Sequence, residues 1–466
     1  MSAERFDSHP PDQLACFRQA RISRDPRFDG TFFVAVTTTG IFCRPVCPAR
    51  LPAEHNVLYY THALQAMAAG FRPCLRCRPD SAPQSSAWQG VDTTIKRAQQ
   101  LLSCIPAQNI GQIATRLGIS SRYLHQLTTR HLGLTPKQLQ VYQQLLFAKQ
   151  LLQQSSLTVA EVACACGFHS SRRLQASMQK HWGLTPSNLR RTMPVTTDTP
   201  STHLFLACRT PYNWAQVQEF LAVHALPLVE QVSSDNYALA FNWQQHAGRL
   251  KATYNRTKNG FEVELELTDL RCIQPVMQNL ARVLDVNADP RLIKNALLNA
   301  GIVSAQLVEG LRLPGTWSYF EAGCRAVLGQ QISVKAATNY ANQLVEKAGQ
   351  KNQFGWVFPA PEAVAKMPQT ALRLPASRQT TLHTLACAFT EHQETPSRDE
   401  LLALKGIGPW TCDYMEIRGA AHSDIYLDND LVVKKAAREQ KLTPAAAAPW
   451  RTYLTLQLWD IAVNQQ

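Results

Sequence analysis

The chain has 466 residues, 45% of them hydrophobic, and a formal net charge of +13 at pH 7. Because so long a chain exceeds what one hydrophobic core usually supports, the sequence predicts about three or four globular domains. No window approaches about 18 consecutive apolar residues and the first five residues lack a signal-peptide pattern, so we expect a soluble cytoplasmic protein without a membrane partner.

The positive charge is concentrated in one part of the chain. Residues 88–200 contain 12 Lys or Arg and 3 Asp or Glu, whereas residues 1–87 contain 10 and 7 and residues 201–466 contain 25 and 24. A localised basic excess is typical of a surface that binds a polyanion, although general solubility also explains a charge count. The middle of the chain is therefore the first candidate for DNA binding.

Four cysteines follow a buried strand in the N-terminal segment. The run Phe32–Val36 predicts this strand, and Thr37–Gly40 predicts the turn after it. The four are Cys43, Cys47, Cys74 and Cys77, while the rest of the 13 cysteines are scattered singly. This distribution favours a metal site in a reducing compartment over a disulfide framework. Paired cysteines at these intervals can close a tetrahedral thiolate site, so the pattern predicts one zinc ion, with a purely structural role as one alternative.

The surroundings of the cysteines resemble the Ada-type methylphosphotriester-DNA methyltransferase domain. The resemblance is carried by Thr39–Cys47 and Gly70–Cys77 and implies a small zinc-binding α/β domain at residues 1–84. In this family the first cysteine, here Cys43, is both ligand and nucleophile, because zinc keeps the thiol ionised and the thiolate takes a methyl group irreversibly. Methylation would remove one thiolate charge and so weaken the repulsion between the metal centre and DNA phosphates. Nearby arginines would then bind the phosphates more firmly. The alternative for each arginine is a solvated surface charge. These DNA-contact candidates are Arg44, Arg50, Arg72 and Arg76.

A near-repeat organises the basic middle of the chain, after a short linker at residues 81–86. The motif His-x-Gly-Leu-Thr-Pro begins at His131 and recurs at His181, and each copy ends a predicted two-helix unit. Each unit has an apolar stripe at helical spacing, a glycine turn and a serine cap. The stripes are Ile110, Ile113, Ala114 and Leu117, and Val159, Val162, Ala163 and Cys166. The pattern predicts two helix-turn-helix units joined by a long helix over Lys137–Gln154.

The second helix of each unit presents a polar face for DNA. Arg and Gln match major-groove acceptors and donors, so the residues on these faces are base-contact candidates, with a merely solvated position as the alternative for each. They are Arg122, His125, Gln126 and Thr129, and Arg172, Gln175 and Gln179. The paired arrangement resembles the AraC/XylS-type transcriptional activator domain, which implies an all-α domain at residues 88–192 and, as partners, promoter DNA and RNA polymerase. After the serine of the second unit this family usually has an aromatic pair, whereas this chain has Arg172–Leu174. The packing of this helix or the DNA sequence that it binds is therefore expected to differ.

The C-terminal half begins after a second linker at residues 196–202. Residues 204–267 alternate like strands, with a hairpin turn at Lys258–Gly260. From Pro275 onward the pattern is helical to the end of the chain. The predicted domains of this half are a small α+β domain at residues 203–275 and an all-α domain at residues 276–466. The fold class expected for the whole chain is therefore multidomain α+β.

A glycine turn between two helices marks a predicted DNA-backbone site in the helical domain. Ser397 and Glu400 have the spacing of a capping box that begins the first helix. Two glycines around one aliphatic residue then leave backbone N–H groups unshielded before the next helix, which suits a phosphate. An ordinary tight turn is the alternative. The residues expected in this helix-hairpin-helix contact are Gly406, Ile407, Gly408 and Thr411.

Residues downstream of this turn carry a second resemblance. With Trp410, Tyr414 and Asp430, the half resembles the helix-hairpin-helix/Gly-Pro-Asp superfamily of DNA glycosylases, in particular the AlkA-type 3-methyladenine DNA glycosylase II. The family implies that Asp430 stabilises the sugar cation and assists water attack, with Asp428 as runner-up and a helix N-cap as the alternative role. An aromatic box would hold the extruded alkylated base by stacking and cation–π attraction, unless its members are plain core aromatics. The box residues are Trp410, Tyr414, Trp459 and Phe220.

Two features narrow the implied reaction, and a third leaves its details open. Trp410 stands where strand-cutting relatives have a Schiff-base lysine, so a monofunctional glycosylase is expected. No cysteine follows Cys412, so a C-terminal iron–sulfur cluster is not expected. The residue that wedges into the duplex is either Gln331 or Ile332, and Leu431 after the aspartate leaves the base preference open.

Together these features predict a bacterial DNA-alkylation response protein, located with the nucleoid in the cytoplasm. It would accept methyl groups from DNA methylphosphotriesters, activate transcription, and excise alkylated purines of the 3-methyladenine type from double-stranded DNA. The alternative is a transcriptional regulator with a structural zinc site and a catalytically inactive glycosylase-like half. Repair of O6-alkylguanine is not expected, because the sequence contains no Pro-Cys-His-Arg motif.

Overall fold

The computed structural model describes residues 11–25, 28–61, 63–77, 79, 91–190, 201–391, 395–438 and 440–464. The chain divides into two compact units, residues 1–141 and 142–466. Each unit contains helices and at least one sheet, so the predicted multidomain α+β class is confirmed. The linker predicted at residues 81–86 and residues 196–200 of the second linker lie outside the described residues. None of the described helices has the length and hydropathy needed to cross a lipid bilayer.

The N-terminal unit contains a small sheet that carries the cysteines. Its strands, in spatial order, are Val57–Tyr60, Phe33–Val36, Ile41–Cys43 and Arg72–Pro73, paired antiparallel except for the last pair, which is parallel. The helices beside it are Pro11–Ser23 and Ala63–Ala68, with a 3-10 turn at Glu54–Asn56. Because successive side chains alternate along a strand, Phe32 and Val34 pack in one apolar cluster and Phe33 and Ala35 in another.

Two helix-turn-helix units follow, with the caps that the sequence predicts. The helices are Val91–Leu102, Ile110–Arg116, Ser121–Leu132, Pro136–Gln154, Val159–Ala165, Ser171–Trp182 and Pro186–Leu189. The Ser120 hydroxyl accepts a hydrogen bond from the backbone N–H of Tyr123 at 3.1 Å, and Ser170 accepts one from Arg173 at 3.3 Å. These bonds satisfy donors that a helix start leaves free and so define where both second helices begin. The long connecting helix begins at Pro136, one residue earlier than predicted.

A five-stranded antiparallel sheet opens the C-terminal half. Its strands, in spatial order, are Thr202–Ala207, Gly260–Leu267, His246–Asn255, Asn236–Trp243 and Glu230–Val232. The prediction of strands throughout residues 204–267 is wrong at Trp214–His224, which forms a helix. Asn213 caps the start of this helix. Its apolar residues Trp214, Val217 and Leu221 have helical spacing, so they lie on one face and are buried together. The predicted hairpin turn is present, with its first strand ending at Asn255.

The rest of the chain is mainly helical. The helices are Ile273–Val283, Pro290–Asn299, Tyr319–Gly329, Val334–Ala348, Pro361–Lys366, Ala376–Glu391, Arg398–Leu402, Pro409–Ala420, Leu431–Arg438 and Arg451–Asn464, with 3-10 turns at Leu270–Cys272, Ser304–Gln306, Gln369–Ala371 and Pro444–Ala447. The prediction of helix throughout is wrong at residues 350–357, where Gln350–Asn352 pairs with Gly355–Val357. The Asn352 amide donates hydrogen bonds to the Phe241 carbonyl and to Asn242 Oδ1, both at 3.0 Å, so a long-range contact with the large sheet holds this hairpin.

The helix Pro409–Ala420 lies between two hydrophobic clusters, and this position fixes where its aromatic residues lie. Cys412 and Met415 belong to the cluster that includes Tyr319–Gly329, whereas Ile417 belongs to the cluster that includes Arg451–Asn464. Trp410 and Trp459 are only partly buried and pack at the edge of the second cluster. Two faces of one helix are therefore anchored, which places its aromatic side chains rigidly.

Asp285, just after the helix Ile273–Val283, is a half-buried carboxyl group with a marked pH response. Burial raises the pKa of Asp285 from its ordinary 3.8 to about 6. Because the folded state then holds the proton more tightly than the unfolded state, the free energy of unfolding decreases as the pH rises from about 4 to about 6. At 1.36 kcal/mol per pKa unit, the ionised group costs the fold about 3 kcal/mol above pH 7.

We therefore expect Asp285→Asn to stabilise the fold at neutral pH. Both hydrogen bonds to Asp285, from the Leu313 backbone N–H at 2.9 Å and the Tyr453 hydroxyl at 2.8 Å, end on Oδ2, so one amide oxygen can accept both. Urea unfolding should give a gain of about 3 kcal/mol at pH 7.5 and roughly half of this at pH 5. The control is Asp289→Asn, because backbone N–H donors lower the pKa of half-buried Asp289 and its pH slope has the opposite sign. A gain for Asp285→Asn that does not change with pH would contradict the expectation.

Candidate functional site

The four cysteines converge at one end of the small sheet. Cys43 ends the strand Ile41–Cys43, and a tight turn, closed by the hydrogen bond from Cys47 N–H to the Arg44 carbonyl at 3.1 Å, brings in Cys47. The parallel pairing of Arg72–Pro73 beside this strand brings in Cys74 and, two turn residues later, Cys77. All four sulfur atoms lie within 4.8 Å of one another, with Cys47 and Cys77 buried and the other two half-buried.

The donor set fits a thiolate-binding metal such as zinc. Four thiols this close cannot all ionise without a cation: hydrogen bonds from Cys43 and Cys77 lower the pKa of Cys47 to about 2, whereas hydrogen bonding with Cys47 raises the pKa of Cys43 far above its ordinary value. A bound divalent cation removes this competition, because it favours the thiolate form of every ligand. Four sulfur donors in a closed cluster are the ligand set of a structural zinc site.

The arginines near the metal centre differ in their surroundings. Arg44 forms an ion pair with Asp29 and donates to the Cys77 carbonyl at 3.2 Å, and its side chain is only 10% exposed. Its backbone N–H also points to Cys77 Sγ at 3.4 Å. The other three predicted DNA contacts, Arg50, Arg72 and Arg76, are exposed. Arg44 therefore holds the cysteine loop in place, a role that sequence reasoning missed because Asp29 is 15 residues away in the chain.

Both recognition helices present the polar faces expected from their spacing. All seven base-contact candidates are exposed: Arg122, His125, Gln126, Thr129, Arg172, Gln175 and Gln179. The side chains between them, Leu124, Leu127, Leu174 and Met178, are buried. A helix with a buried apolar stripe and a free polar face can lie in a major groove without losing its packing.

The glycine turn before Pro409–Ala420 is built as a close approach of backbone. Gly406 has φ +88°, and a Cβ atom there would lie 2.1 Å from Thr381 Oγ1. Ile407 is buried and anchors the turn, while Gly408 precedes the helix without any side-chain cap. Thr411 is also buried, and its hydroxyl accepts a hydrogen bond from Gln330 Nε2 at 3.3 Å. Of the four predicted backbone contacts, Gly406 and Gly408 thus offer accessible backbone, and Ile407 and Thr411 hold the turn.

We expect Gly406→Ala to destabilise this half of the chain by about 1–3 kcal/mol, because alanine must adopt a left-handed backbone and displace Thr381. Gly408→Ala is the matched control. Its Cβ would meet no atom within 4 Å, and its φ is −108°, so we expect a loss below about 1 kcal/mol. Urea unfolding of both variants checks the difference, and equal losses would contradict it.

The Asp430 carboxylate is held by two indole groups. Trp410 Nε1 donates to its Oδ2 at 3.2 Å, and Trp459 Nε1 donates to its Oδ1 at 3.3 Å. The same carboxylate caps the helix Leu431–Arg438, accepting from the backbone N–H groups of Val432 and Val433 at 3.0 and 3.1 Å. The helix start and the indoles together orient a half-buried negative charge. The helix-cap role considered for Asp430 is therefore observed, and its catalytic role stays a prediction.

The aromatic wall continues along one helix face from Trp410. Tyr414 stacks on Trp410 with ring centroids 5.4 Å apart, and one turn further lies Arg418, whose Nη1 donates to the Tyr414 hydroxyl at 3.3 Å. The Arg418 guanidinium carbon lies 4.5 Å from the ring centroid of Phe220, which comes from the helix Trp214–His224. The structure thus connects all four predicted box residues. Sequence reasoning missed Arg418, although its spacing of four residues from Tyr414 places both on one face.

The two other aspartates of this loop have different surroundings. Asp424 forms a two-pronged ion pair with Arg451 at 2.7 and 3.0 Å, and the hydrogen bonds from Arg451 lower the pKa of Asp424. Asp428, the runner-up for catalysis, is exposed. Only Asp430 of the three receives indole hydrogen bonds among the described residues.

The wedge candidates lie in a strained turn. Gln331 is exposed at φ +58°, a backbone conformation that non-glycine residues rarely adopt, and Ile332 is half-buried. Gln330 before them donates to the Gly406 carbonyl at 3.0 Å, so the turn is tied to the glycine hairpin. Leu431, directly after Asp430, is an apolar side chain that is 80% exposed. The wedge assignment stays a prediction.

Comparisons with known proteins match every part of the chain. The family models that match are "Metal binding domain of Ada" over residues 17–80, "Helix-turn-helix domain" over residues 95–192 and "AlkA N-terminal domain" over residues 203–318. A Mycobacterium tuberculosis protein named "Probable bifunctional transcriptional activator/DNA repair enzyme AlkA" is 32% identical, over 97% of this chain and 97% of that protein.

Two further relatives each match one part of the chain. "DNA-3-methyladenine glycosylase 2" of Escherichia coli is 29% identical over 53% of this chain and 94% of that protein. The solved structure "NMR structure of E. Coli Ada protein in complex with DNA" is 41% identical over 28% of this chain and 91% of that chain, with a TM-score of 0.22. The metal-binding family match and the four-cysteine cluster confirm the predicted cofactor, one zinc ion.

Proposed function

This chain belongs to the family of bifunctional transcriptional activator/DNA repair enzymes AlkA, and on that premise we propose that it accepts methyl groups from DNA backbone lesions, activates transcription and excises alkylated purines. DNA is its macromolecular partner. The observation that carries the proposal is the Asp430 carboxylate, held between Trp410 and Trp459 beside a stacked aromatic wall. A carboxylate and aromatic rings are what the excision of a cationic base needs.

The excision step follows from charge. An N3- or N7-alkylated purine is cationic, so its glycosidic bond breaks to leave a neutral base without a strong general acid. The extruded base stacks on Tyr414 and Trp410, and Asp430 stabilises the sugar cation and directs water to C1′. Trp410 has no amine to form a Schiff base with the sugar, so the strand stays intact. The enzyme is therefore a monofunctional DNA-3-methyladenine glycosylase.

The methyl-acceptor step uses the N-terminal cysteines. Zinc, when bound, keeps these thiols as thiolates at neutral pH. Cys43 Sγ, half-buried at the strand end, attacks the methyl carbon, and the phosphate oxygen leaves with the electron pair of the broken bond. Cys47 and Cys77 are buried and serve as ligands with Cys74. The products are S-methylcysteine and an ordinary phosphodiester, so each chain reacts once.

Transcriptional activation rests on the two helix-turn-helix units. Their seven exposed polar side chains read promoter bases, and Arg50, Arg72 and Arg76 contact the phosphate backbone more firmly after methylation has removed one thiolate charge. RNA polymerase is the protein partner of the bound activator, and the bacterial nucleoid in the cytoplasm is its location. We assign these activities to the domains at residues 1–84 and 88–192, and base excision to those at residues 203–275 and 276–466.

A single assay tests the repair function. Purified protein is incubated with a panel of duplexes, each containing one alkylated purine, and the released base is measured together with strand cleavage. We expect release of 3-methyladenine without cleavage of the strand. No release from any duplex would reject the glycosylase, and release with cleavage would reject the monofunctional mechanism.

A further inference from the structure

Arg418 is a buried cation at the aromatic wall of the base pocket. It is 2% exposed, its Nη1 donates to the Tyr414 hydroxyl, and its Nε is buried without a hydrogen-bond partner. No carboxylate forms an ion pair with it in the part of the chain that the structure describes. A buried guanidinium without an ion-pair partner among the described residues is costly, so its presence calls for an explanation beyond packing.

The nearest acidic groups are committed to another residue. Glu230 and Glu321 both form ion pairs with Arg325, at 2.9 and 2.7 Å, and all three side chains are nearly buried. These glutamates attract Arg418 only through space and do not accept its hydrogen bonds. His224 stacks on Phe220 with ring centroids 4.4 Å apart. It is neutral at physiological pH, because burial lowers the pKa of His224 to about 3.

The contacts of Arg418 are instead the rings that line the pocket. Its guanidinium carbon lies 4.5 Å from the Phe220 centroid and 5.9 Å from the Tyr414 centroid. Tyr414 stacks on Trp410, and Trp410 donates to Asp430. Along one helix face the pocket therefore has a carboxylate at one end and a guanidinium at the other, with the stacked rings between them.

We propose that Arg418 is the electrostatic counterpart of Asp430: it stabilises the electron pair that the departing base gains, as Asp430 stabilises the positive charge that the sugar gains. This inference rests on the proposed glycosylase function and deepens it. When the C1′–N bond breaks, both electrons stay on the base nitrogen, so the charge of the base falls by one unit. A cationic base becomes neutral and a neutral base becomes an anion, and a fixed positive charge favours the change in both cases.

The proposal separates binding from release. A fixed cation repels a bound cationic base in the ground state, so it does not improve affinity for such a lesion, while it accelerates the step in which that positive charge is lost. Phe220 acts as a positioning residue, because its ring lies 4.5 Å from the Arg418 guanidinium carbon and holds that group in place. A residue that served only packing would change affinity and stability without this split.

The test compares Arg418→Met and Arg418→Gln, which remove the charge, with Arg418→Lys, which keeps it. Single-turnover release rates and dissociation constants are measured on duplexes with 7-methylguanine, a cationic base, and hypoxanthine, a neutral one. We expect the neutral variants to release both bases on the order of 10- to 100-fold more slowly, with unchanged or tighter binding of the 7-methylguanine duplex. Arg418→Lys should recover most of the rate.

Three results would overturn the proposal: equal losses in the lysine and neutral variants, weaker binding with an intact release rate, or a chain that folds only with a positive charge at this position. Thermal unfolding of each variant identifies the last case. Wild-type protein and Asp430→Asn are run in parallel. If the wild type releases no base, the proposed function has failed; if the wild type is active and the neutral variants match it, only the role of Arg418 has failed.

Discussion

Asp430→Asn is expected to lower the rate of base release by on the order of 10³-fold, equivalent to about 4 kcal/mol of transition-state stabilisation. The substitution removes the negative charge opposite the developing sugar cation. It also breaks the orientation of the group: both carboxylate oxygens accept an indole N–H, from Trp410 and Trp459, and an asparagine must turn its own NH₂ group towards one of them. Single-turnover release of 3-methyladenine from a duplex measures the loss.

The fold should tolerate this change. Asparagine is as good an N-cap as aspartate, so the bonds from Val432 and Val433 to the side-chain oxygen can persist. Asp428→Asn is the matched control, because Asp428 is exposed in the same loop and we expect its release rate to stay within about 2-fold of the wild type. If Asp428→Asn abolishes base release and Asp430→Asn does not, then Asp428, and not Asp430, is the catalytic carboxylate.

Cys43→Ser is expected to abolish methyl transfer completely. After incubation with a duplex carrying a methylphosphotriester, peptide mass spectrometry should find one added methyl group on Cys43 in the wild type and none on any cysteine of the variant. The reason is nucleophilicity: a hydroxyl oxygen is almost fully protonated at neutral pH, whereas a metal-bound thiolate is not. Loss of one ligand should also weaken zinc binding, which a zinc titration would measure.

The control for this experiment is Cys16→Ser. Cys16 is exposed on the helix Pro11–Ser23, outside the cluster, so its loss should leave methylation and zinc content unchanged. A methyl group on Cys74, the other half-buried ligand, would move the acceptor role to that residue. An unmodified cluster in active, zinc-loaded protein would favour a regulator with a purely structural zinc site.

Features set by neighbours in the chain could be predicted from the sequence. The serine caps at Ser120, Ser170 and Ser397 form the expected hydrogen bonds, because a cap and its donor are only three residues apart. The cysteine spacing likewise predicted a cluster, since short turns fix each pair and only one strand pairing has to bring the pairs together. The alternation of buried and exposed residues gave the recognition faces for the same reason.

Features set by contacts between residues far apart in the chain could not be predicted from the sequence. The hairpin at residues 350–357 depends on Asn352 bonding to a strand more than 100 residues earlier. Arg44 was predicted to contact DNA, with a solvated surface charge as the alternative, whereas the structure pairs it with Asp29. Strand-like alternation misassigned Trp214–His224, although the Asn213 cap and the helical spacing of Trp214, Val217 and Leu221 were local signals of the helix.

The amino-acid sequence by itself determined the order of the domains and the metal ligand set. These follow from residue type and from spacing along the chain, which local backbone geometry converts directly into position, whereas the candidate carboxylate was identified through the family resemblance. Only the tertiary structure decided that two indoles hold Asp430 and that the buried Arg418 closes the other end of the aromatic wall. Such contacts join segments far apart in the chain, and their energies depend on burial, which exists only once the core has formed.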